Sequence, residues 1–449
     1  MTWRLQEELA RIADAAPVAE VPADTWARAR RARRRDRGLA LAASAAVVAL
    51  VAGLVSWLPT LPDAAVAGSS APGLPDHLYA VPERMSARGG EDDVWLRDEV
   101  TSDVAVGRAA AAWLTPDGLP VVVGATDGRY HLLDLPGFSG NNWVTSIGLH
   151  PATIALSPDG RRLAYSWATF GPDAATEPIP SGVRVLDLES GTIRGIPLRG
   201  AEGTAVEALG WSVDSRWLAW GGARLGSWTT GSMGRSEPIA GRIAPGSTTG
   251  EEYVPRRVHP FDAAVGVDVR GNVSLFGDGA VNTWDGRNQR VTPLDDVAVT
   301  TRQASVDAGG RVALPSPDGD TLFVLDSLGT AARQSDIGRL DDGASEVHAL
   351  GWVGDELLLA TNGADSAELR LFSVDDERSH VVGTVDGGVG PTLTVAIDLV
   401  TADRPTVERP EPDWPWSDER RAVMIGLGVV GVLALLYGAR RIGRRRPLR

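Results

Sequence analysis

The side chains that could perform chemistry are scattered along this 449-residue chain rather than grouped into a known motif. The absence of cysteine excludes disulfides, thiol catalysis and zinc sites built on thiolates. The sequence holds no zinc-protease, nucleophile-elbow, phosphate-loop or calcium-loop motif. No two of the six histidines have metal-ligand spacing: His77, His131, His150, His259, His348 and His380. We therefore expect no cofactor, no metal site and no enzymatic activity.

Adjacent acidic residues are the pattern that keeps an enzyme open as an alternative. Two carboxylates at the mouth of a rigid domain can serve a glycoside hydrolase. Four such pairs occur: Asp92–Asp93, Asp295–Asp296, Asp341–Asp342 and Asp375–Asp376. All four lie in predicted turns, where solvated charge is a sufficient explanation.

The residues best suited to binding lie in two long segments, 166–182 and 221–253, each following a predicted strand. Loops on a rigid scaffold often carry binding, and aromatic residues and arginine are favoured in binding hot spots. The sequence therefore predicts a binding surface, and neutral loop growth is the alternative. Its candidate residues are Trp167, Phe170, Arg224 and Trp228.

A repeated phrase indicates the elements that position these residues. SPDGRRLAYSW at 157–167 is nearly repeated by WSVDSRWLAWGG at 211–222, and weaker versions begin at Leu114, Asp307 and Leu350. Proline pre-sets φ in such a turn, aspartate caps it and glycine accepts a positive φ. The β-branched and aromatic runs that follow indicate strands. We predict that the phrase joins the first two strands of each unit and that its Asp and Gly are structural.

Units of about 40–50 residues with several short strands each are typical of propeller blades. The predicted fold is therefore all-β, and radial repetition leaves only short strand edges exposed. The predicted blades span about 109–148, 151–199, 204–255, 258–294, 300–340 and 343–388.

The phrases SPDGRRLAY and SPDGDTLFVLD resemble the WD40-like repeats of TolB-type β-propellers, over about residues 105–390. The resemblance implies the fold, and it implies little about function because propellers serve binding, scaffolding and enzymatic roles alike.

The number of blades depends on strands that lie outside these six units. Short apolar runs begin at His77, Asp93 and Asp103, and residues 391–400 supply a further strand. Together they predict a ring closed by strands from both ends, with seven blades. Six blades is the alternative, if the first set forms only a partial sheet.

Two apolar segments, 38–58 and 421–438, predict transmembrane helices, and residues 38–58 and 422–438 carry no charge. Seven arginines crowd residues 28–37 before the first segment, and six follow the second in the basic tail 439–449. Because cytoplasmic flanks are rich in arginine, we predict a plasma-membrane protein with both termini in the cytoplasm and the propeller outside. Cleavage by signal peptidase after residues 65–67 is the alternative.

The remaining segments connect the predicted propeller, residues 76–402, to these spans. Residues 59–75 and 403–420 are proline-rich and predict extended linkers. The chain carries a net charge of −14, with +3 on residues 1–37 and +6 on residues 439–449, so the residues between them carry −23. This acidic exterior makes nucleic acid an improbable partner and favours a protein or cell-envelope ligand.

The cytoplasmic head, residues 1–37, is predicted to begin with a short amphipathic helix. Leu5, Leu9 and Ile12 fall on one face of it and are candidate contacts for a cytoplasmic partner. This layout resembles membrane regulators of high-GC bacteria whose head binds a sigma factor, although the missing cysteines remove the zinc motif common in those proteins. Topology and lipid contact explain the arginines equally well.

The predicted function is therefore a membrane-anchored binding module outside the cell, acting as a sensor or regulator through a cytoplasmic partner. A passive cell-envelope scaffold is the first alternative, and a propeller enzyme such as a glycoside hydrolase is the second.

Overall fold

The computed structural model divides into two compact units, residues 67–414 and residues 1–66 with 415–449. The residues it describes are 3–15, 24, 26–28, 30–31, 71–82, 85, 88–89, 94–95, 100–138, 153–168, 181–198, 203–229, 232–257, 264–277, 279–294, 304–316, 321–325, 332–336, 346–362, 366–387, 389, 392–412 and 414. Both predicted transmembrane segments lie outside these ranges. Within the ranges, no helix is long and apolar enough to cross a membrane.

The N-terminal unit contains the predicted amphipathic helix, α1, at Trp3–Ala15. Leu9 and Ile12 are 57% and 64% exposed on it. The side chain of Leu5 lies outside the described part of the chain.

The larger unit is an all-β domain. In chain order, its first eleven strands are β1 His77–Leu78, β2 Arg88–Gly89, β3 Val94–Trp95, β4 Val100–Thr101, β5 Ala109–Leu114, β6 Pro120–Gly124, β7 Tyr130–Leu133, β8 Ile154–Leu156, β9 Arg162–Ala168, β10 Ser181–Asp187 and β11 Ile193–Pro197. The next eight are β12 Thr204–Trp211, β13 Leu218–Thr229, β14 Ser232–Ile243, β15 Glu251–Tyr253, β16 Ala264–Val267, β17 Val273–Gly277, β18 Ala280–Trp284 and β19 Gln289–Pro293. The last nine are β20 Ser305–Val306, β21 Val312–Pro315, β22 Thr321–Leu325, β23 Ala332–Asp336, β24 Glu346–Val353, β25 Glu356–Asn362, β26 Ser366–Ser373, β27 Arg378–Asp386 and β28 Thr394–Val395, followed by a 3₁₀ turn at Ile397–Leu399.

All of these strands except β2 and β3 form a propeller of six blades, and β2 and β3 pair with each other in a separate two-stranded sheet. From the innermost strand outwards, blade I is β28-β5-β6-β7-β4, blade II is β8 to β11, blade III is β12 to β15, blade IV is β16 to β19, blade V is β20 to β23, and blade VI is β24 to β27 followed by β1. The prediction of seven blades is therefore wrong, and its alternative of six is confirmed. The runs at His77 and Asp103 build no blade of their own. Instead, β1 and the nearby β4 add in parallel to the outer strands of blades VI and I.

The ring closes where the two ends of the propeller meet. The predicted strand from residues 391–400 is present as β28, and it pairs antiparallel with β5 as the innermost strand of blade I. Two hydroxyls secure it: Thr394 Oγ1 accepts from the Leu156 amide at 3.2 Å, and Thr392 Oγ1 accepts from the Leu114 amide at 2.9 Å. Closure by strands from both chain ends is therefore confirmed.

The repeated turn phrase does not always occupy the predicted position. In blades II and III it joins the first and second strands, at residues 157–160 and 212–215, as predicted. In blade I it joins the second and third strands, at residues 115–118, and in blade V its sequence lies between the second and third strands, β21 and β22, so the prediction is wrong there. Turn chemistry sets the local conformation of the chain and carries no information on which pair of strands it joins.

Tryptophans at the ends of two inner strands join neighbouring blades. Trp211 Nε1 donates to the Ala155 carbonyl of blade II at 3.0 Å, and Trp352 Nε1 donates to the Ser305 carbonyl of blade V at 3.2 Å. An arginine of the preceding blade covers each ring: Arg162 lies 5.0 Å from Trp211, and Arg311 lies 4.6 Å from Trp352. These contacts give the ring a rigid inner wall.

Candidate functional site

The second and third strands of blade III form the longest hairpin among the described strands. β13 and β14 have twelve residues each, whereas the second and third strands of the other blades have four to eight. Their pairing runs from Leu218–Ile243 at the base to Thr229–Ser232 at the tip. The sequence predicted a loop in this region, and the structure instead shows a two-stranded projection with register shifts between Ala223 and Leu225 and between Leu225 and Trp228.

The hairpin continues beyond the body of its blade. On one side, the pairing of β13 with the inner strand β12 ends at Arg224. On the other, β15 pairs only with Ala240, Gly241 and Arg242 of β14. Residues 225–229 and 232–235 therefore form a two-stranded ribbon at the end of the blade opposite its first turn.

A charged network holds the base of the ribbon. The Arg224 guanidinium lies 3.3 Å from Glu237 on β14 and 3.4 Å from Glu252 on β15. Its side chain is 28% exposed, so solvent screens these attractions only in part. Arg224 therefore fastens the strand that carries the ribbon to both of its outer neighbours.

Tyr253, next along β15, supports the same blade from its buried side. Its ring stacks on Trp284 of blade IV with centroids 4.7 Å apart. Burial raises the pKa of the Tyr253 hydroxyl above its ordinary value, and this oxygen has no hydrogen-bond partner among the described residues. The contact is one of apolar packing.

The four predicted binding residues do not form one cluster among the described side chains. Trp167 is half-buried on β9 of blade II, with the Arg184 guanidinium 4.4 Å from its ring. Trp228 lies on β13 opposite Met233, four residues beyond Arg224. The side chain of Trp228 and the whole of Phe170 lie outside the described part of the chain.

Trp167 packs between two blades. Arg184, which covers it, also donates to the Pro136 carbonyl of the connection leaving blade I, and Tyr165 Oη donates to the same carbonyl at 3.2 Å. Phe138 meets the Tyr165 ring edge-on with centroids 5.9 Å apart. These contacts give Trp167 a packing role between blades I and II.

A cavity of about 160 Å³ lies on the propeller axis. The inner strands of blades II to VI and the closing segment 392–397 form its wall. Glu207 is the only ionisable side chain among the described residues of this wall. The wall therefore does not bring together the two carboxylates that a glycoside hydrolase uses.

Glu207 is a feature that the sequence reasoning did not single out. It lies at a β-bulge of β12 between Val206 and Ala208, and it is 5% exposed. A carboxylate within the apolar stretch TAVEALGW was the available signal, because buried charged residues require specific surroundings. Within the described ranges, no three His, Asp or Glu residues are placed to hold a metal ion.

Comparison with known proteins leaves the family open. No protein-family model matches the sequence, and no curated protein matches it. Among solved structures, the nidogen/laminin complex is similar over 64% of this chain and 99% of that chain, with a TM-score of 0.39 and 11% identity. TolB from Acinetobacter baumannii is similar over 67% and 68%, with a TM-score of 0.38 and 14% identity.

Virginiamycin B lyase from Staphylococcus aureus is similar over 62% of this chain and 84% of that chain, with a TM-score of 0.37 and 10% identity. Likenesses at this level carry no argument about function, and the propeller assignment rests on the order of strands in the six sheets. Membership of the TolB-type family stays a prediction.

Proposed function

We propose that this protein is a membrane-tethered binding module whose contact element is the blade III ribbon, residues 225–229 and 232–235. The observation that carries the proposal is the pairing of β13 and β14 beyond the reach of both neighbouring strands. A rigid scaffold that extends one element beyond its neighbouring strands is an arrangement by which domains present a binding surface.

The chemistry of the ribbon favours an extended protein segment as the ligand. Along Ser232–Ile239, the described residues provide no outer neighbour for β14. Backbone amides and carbonyls at such an edge bind an extended peptide by strand addition. Pro238 lacks an amide hydrogen and Glu237 is paired with Arg224, so we expect the added strand to contact residues 232–236.

The way the chain enters and leaves the propeller supports the proposed tether. Arg409 Nη2 donates to the Ala71 carbonyl at 3.1 Å, so the two flanking segments lie side by side. Two transmembrane segments that leave the propeller at the same edge can insert into one membrane, which places both termini in the cytoplasm. In this proposal the exposed Leu9 and Ile12 of α1 contact a cytoplasmic protein such as a sigma factor.

Site-directed photocrosslinking in cells tests the binding role. A photoreactive residue replaces Val254, which is 45% exposed beside the ribbon base, or Asp355, which lies in the first turn of blade VI. We expect a discrete protein adduct from position 254 and none from position 355. The adduct should disappear when Asn-Gly replaces residues 226–234, because this change shortens the ribbon and keeps its base.

The same adduct from both positions, or one that survives the shortened ribbon, would contradict the proposal and favour a passive scaffold. Protease added to protoplasts tests the tether: tags at both termini should survive while the propeller is degraded.

A further inference from the structure

The two segments that flank the propeller are bonded to each other. We call residues 71–76 and 404–409 the clasp. They form a parallel bridge between Pro75 and Val407. The Val407 amide donates to the Leu74 carbonyl at 2.7 Å, and the Asp76 amide donates to the Val407 carbonyl at 2.9 Å. The sequence predicted extended linkers at these positions, and the clasp instead has strand-like order.

The clasp is packed as a core element. Leu74 is fully buried and Val407 is 8% exposed. A Cβ atom added to Gly73 would lie 2.6 Å from Val407, so only glycine allows the two segments to approach this closely. Because buried apolar contact adds to the hydrogen bonds, separating the segments exposes apolar surface as well.

Arg409 connects both segments to blade I. Its side chain is 9% exposed, and Nη2 donates to the carbonyls of Ala71 at 3.1 Å and Ala125 at 2.9 Å. The Arg409 amide donates to the Asp76 carboxylate at 3.3 Å. Hydrogen bonds from a charged donor are stronger than neutral ones, and those of Arg409 converge on the point where the chain enters the propeller.

The clasp is also joined to blade VI. The Thr384 amide donates to the Asp76 carbonyl at 2.9 Å, and Thr406 Oγ1 donates to the Val382 carbonyl at 2.8 Å. His77 follows at once, with Nε2 at 2.8 Å from Asp386 and Nδ1 at 2.8 Å from the Thr384 hydroxyl. Opening the clasp therefore loosens β27 of blade VI together with the connection that follows β6 in blade I.

We propose that the clasp is a force-bearing lock that keeps the ring closed when the two ends of the chain are pulled apart. Because its strands are parallel, the chain enters at one end of the pair and leaves at the other. Tension between the ends slides one strand along the other and loads all the hydrogen bonds at once. An antiparallel pair pulled from one end would release them one by one.

Single-molecule pulling at constant force on the full chain tests this proposal. With handles at both termini, Arg409→Met should shorten the lifetime of the folded propeller about 10- to 100-fold, the effect of losing charge-assisted hydrogen bonds on forced unfolding. Arg378→Met, on the exposed end of β27, should leave it unchanged. With handles at cysteines replacing Ser190 and Asp355, which do not load the clasp, Arg409→Met should have no comparable effect.

An engineered disulfide gives a control within one protein. The chain has no other cysteine, so Pro75→Cys with Val407→Cys provides a single pair. We expect the oxidised protein to outlast the reduced one severalfold under terminal tension. Equal lifetimes in the two redox states, or an Arg409→Met effect of the same size in both pulling directions, would overturn the proposal. Neither result bears on ligand binding by the ribbon.

Discussion

Blades I and II are neighbours in the ring, yet they are assembled differently. Blade II is one continuous stretch of chain from Ile154 to Pro197, whereas blade I takes its innermost strand, β28, from the far end of the propeller. Both contain a Pro-Asp-Gly turn after an apolar strand. Comparing the two turns distinguishes the local geometry that they share from the contacts that each makes with the rest of the ring.

The two turns share their local geometry. Gly118 donates to the Thr115 carbonyl at 2.8 Å with φ at 82°, and Gly160 donates to the Ser157 carbonyl at 2.7 Å with φ at 71°. A hydroxyl caps each turn: Thr115 Oγ1 accepts from the Leu119 amide and Ser157 Oγ accepts from the Arg162 amide. The predicted structural role of the glycine is confirmed in both turns.

The turn in blade II also takes part in ring closure. The Pro158 carbonyl accepts from the Asp398 amide at 3.0 Å, and the Gly160 carbonyl accepts from the Ala109 amide at 2.7 Å. The Asp159 carbonyl accepts from Arg108 Nε at 2.6 Å. The turn thereby joins the start of blade I to the closing segment of the chain.

Replacing the turn glycines gives the largest expected effect on this comparison. A Cβ atom at residue 160 would lie 2.2 Å from the Ala109 carbonyl oxygen, in addition to the penalty for a positive φ. We expect Gly160→Ala to lower the free energy of unfolding by about 2–4 kcal/mol. Gly118→Ala meets the φ penalty and should cost about 1 kcal/mol. Urea unfolding of the purified variants measures both changes in the free energy of unfolding. Equal losses would show that the contact of residue 160 with the Ala109 carbonyl adds nothing to the φ penalty.

Two tyrosines extend the comparison to blade I and blade III, which is built, like blade II, from one continuous stretch of chain. Tyr130 Oη accepts from the Tyr79 amide at 2.8 Å where blades I and VI meet, so Tyr130→Phe should cost about 1 kcal/mol. The Tyr253 hydroxyl of blade III has no partner among the described residues, so Tyr253→Phe should leave stability at neutral pH unchanged or slightly higher. Thermal unfolding of both variants provides the measurement, and a clear loss for Tyr253→Phe would contradict the prediction.

The same pair predicts a dependence on pH. Burial raises the pKa of both tyrosines in the folded protein. Above about pH 10 the unfolded chain ionises these groups while the folded protein does not. The contribution of these two tyrosines to the free energy of unfolding is therefore fully present below about pH 10, and it falls as the pH rises above that value. Tyr253→Phe should reduce this fall in urea titrations, and an unchanged profile would show that Tyr253 does not contribute.

The smallest expected effect concerns Ser215, which occupies in blade III the turn position of Gly160. Its φ of 58° is unfavourable for serine, but its Oγ accepts from the Asp159 amide of blade II at 3.0 Å. Ser215→Ala loses that bond and keeps the strain, at a cost of about 1 kcal/mol. Ser215→Gly loses both, so its change should be close to zero. Chemical denaturation of the Ser215→Ala and Ser215→Gly variants shows whether the hydrogen bond between Asp159 and Ser215 stabilises the protein by more than the backbone strain at residue 215 destabilises it.

Local chemistry was enough to predict much of this protein. The turn phrases, the alternation of apolar strands and their 40–50-residue spacing led to the propeller and to blades close to those observed. The helix at Trp3–Ala15 followed from the spacing of Leu5, Leu9 and Ile12. The turns, the strands and the helix each depend on residues a few positions apart in one chain segment, and the blades follow because this local pattern recurs every 40–50 residues.

Only the tertiary structure decided the number of blades, the assignment of the turns, the blade III ribbon and the clasp. Each depends on which strand edge a segment joins, and a two-residue strand such as β1 or β28 has no periodicity to indicate its partner. Residues 71–76 and 404–409 show why: they read as proline-rich linkers until more than 300 residues of intervening chain bring them together. Unpaired backbone groups at an exposed strand edge pair with an extended segment that the fold brings beside them. The partner of such an edge therefore depends on the tertiary structure.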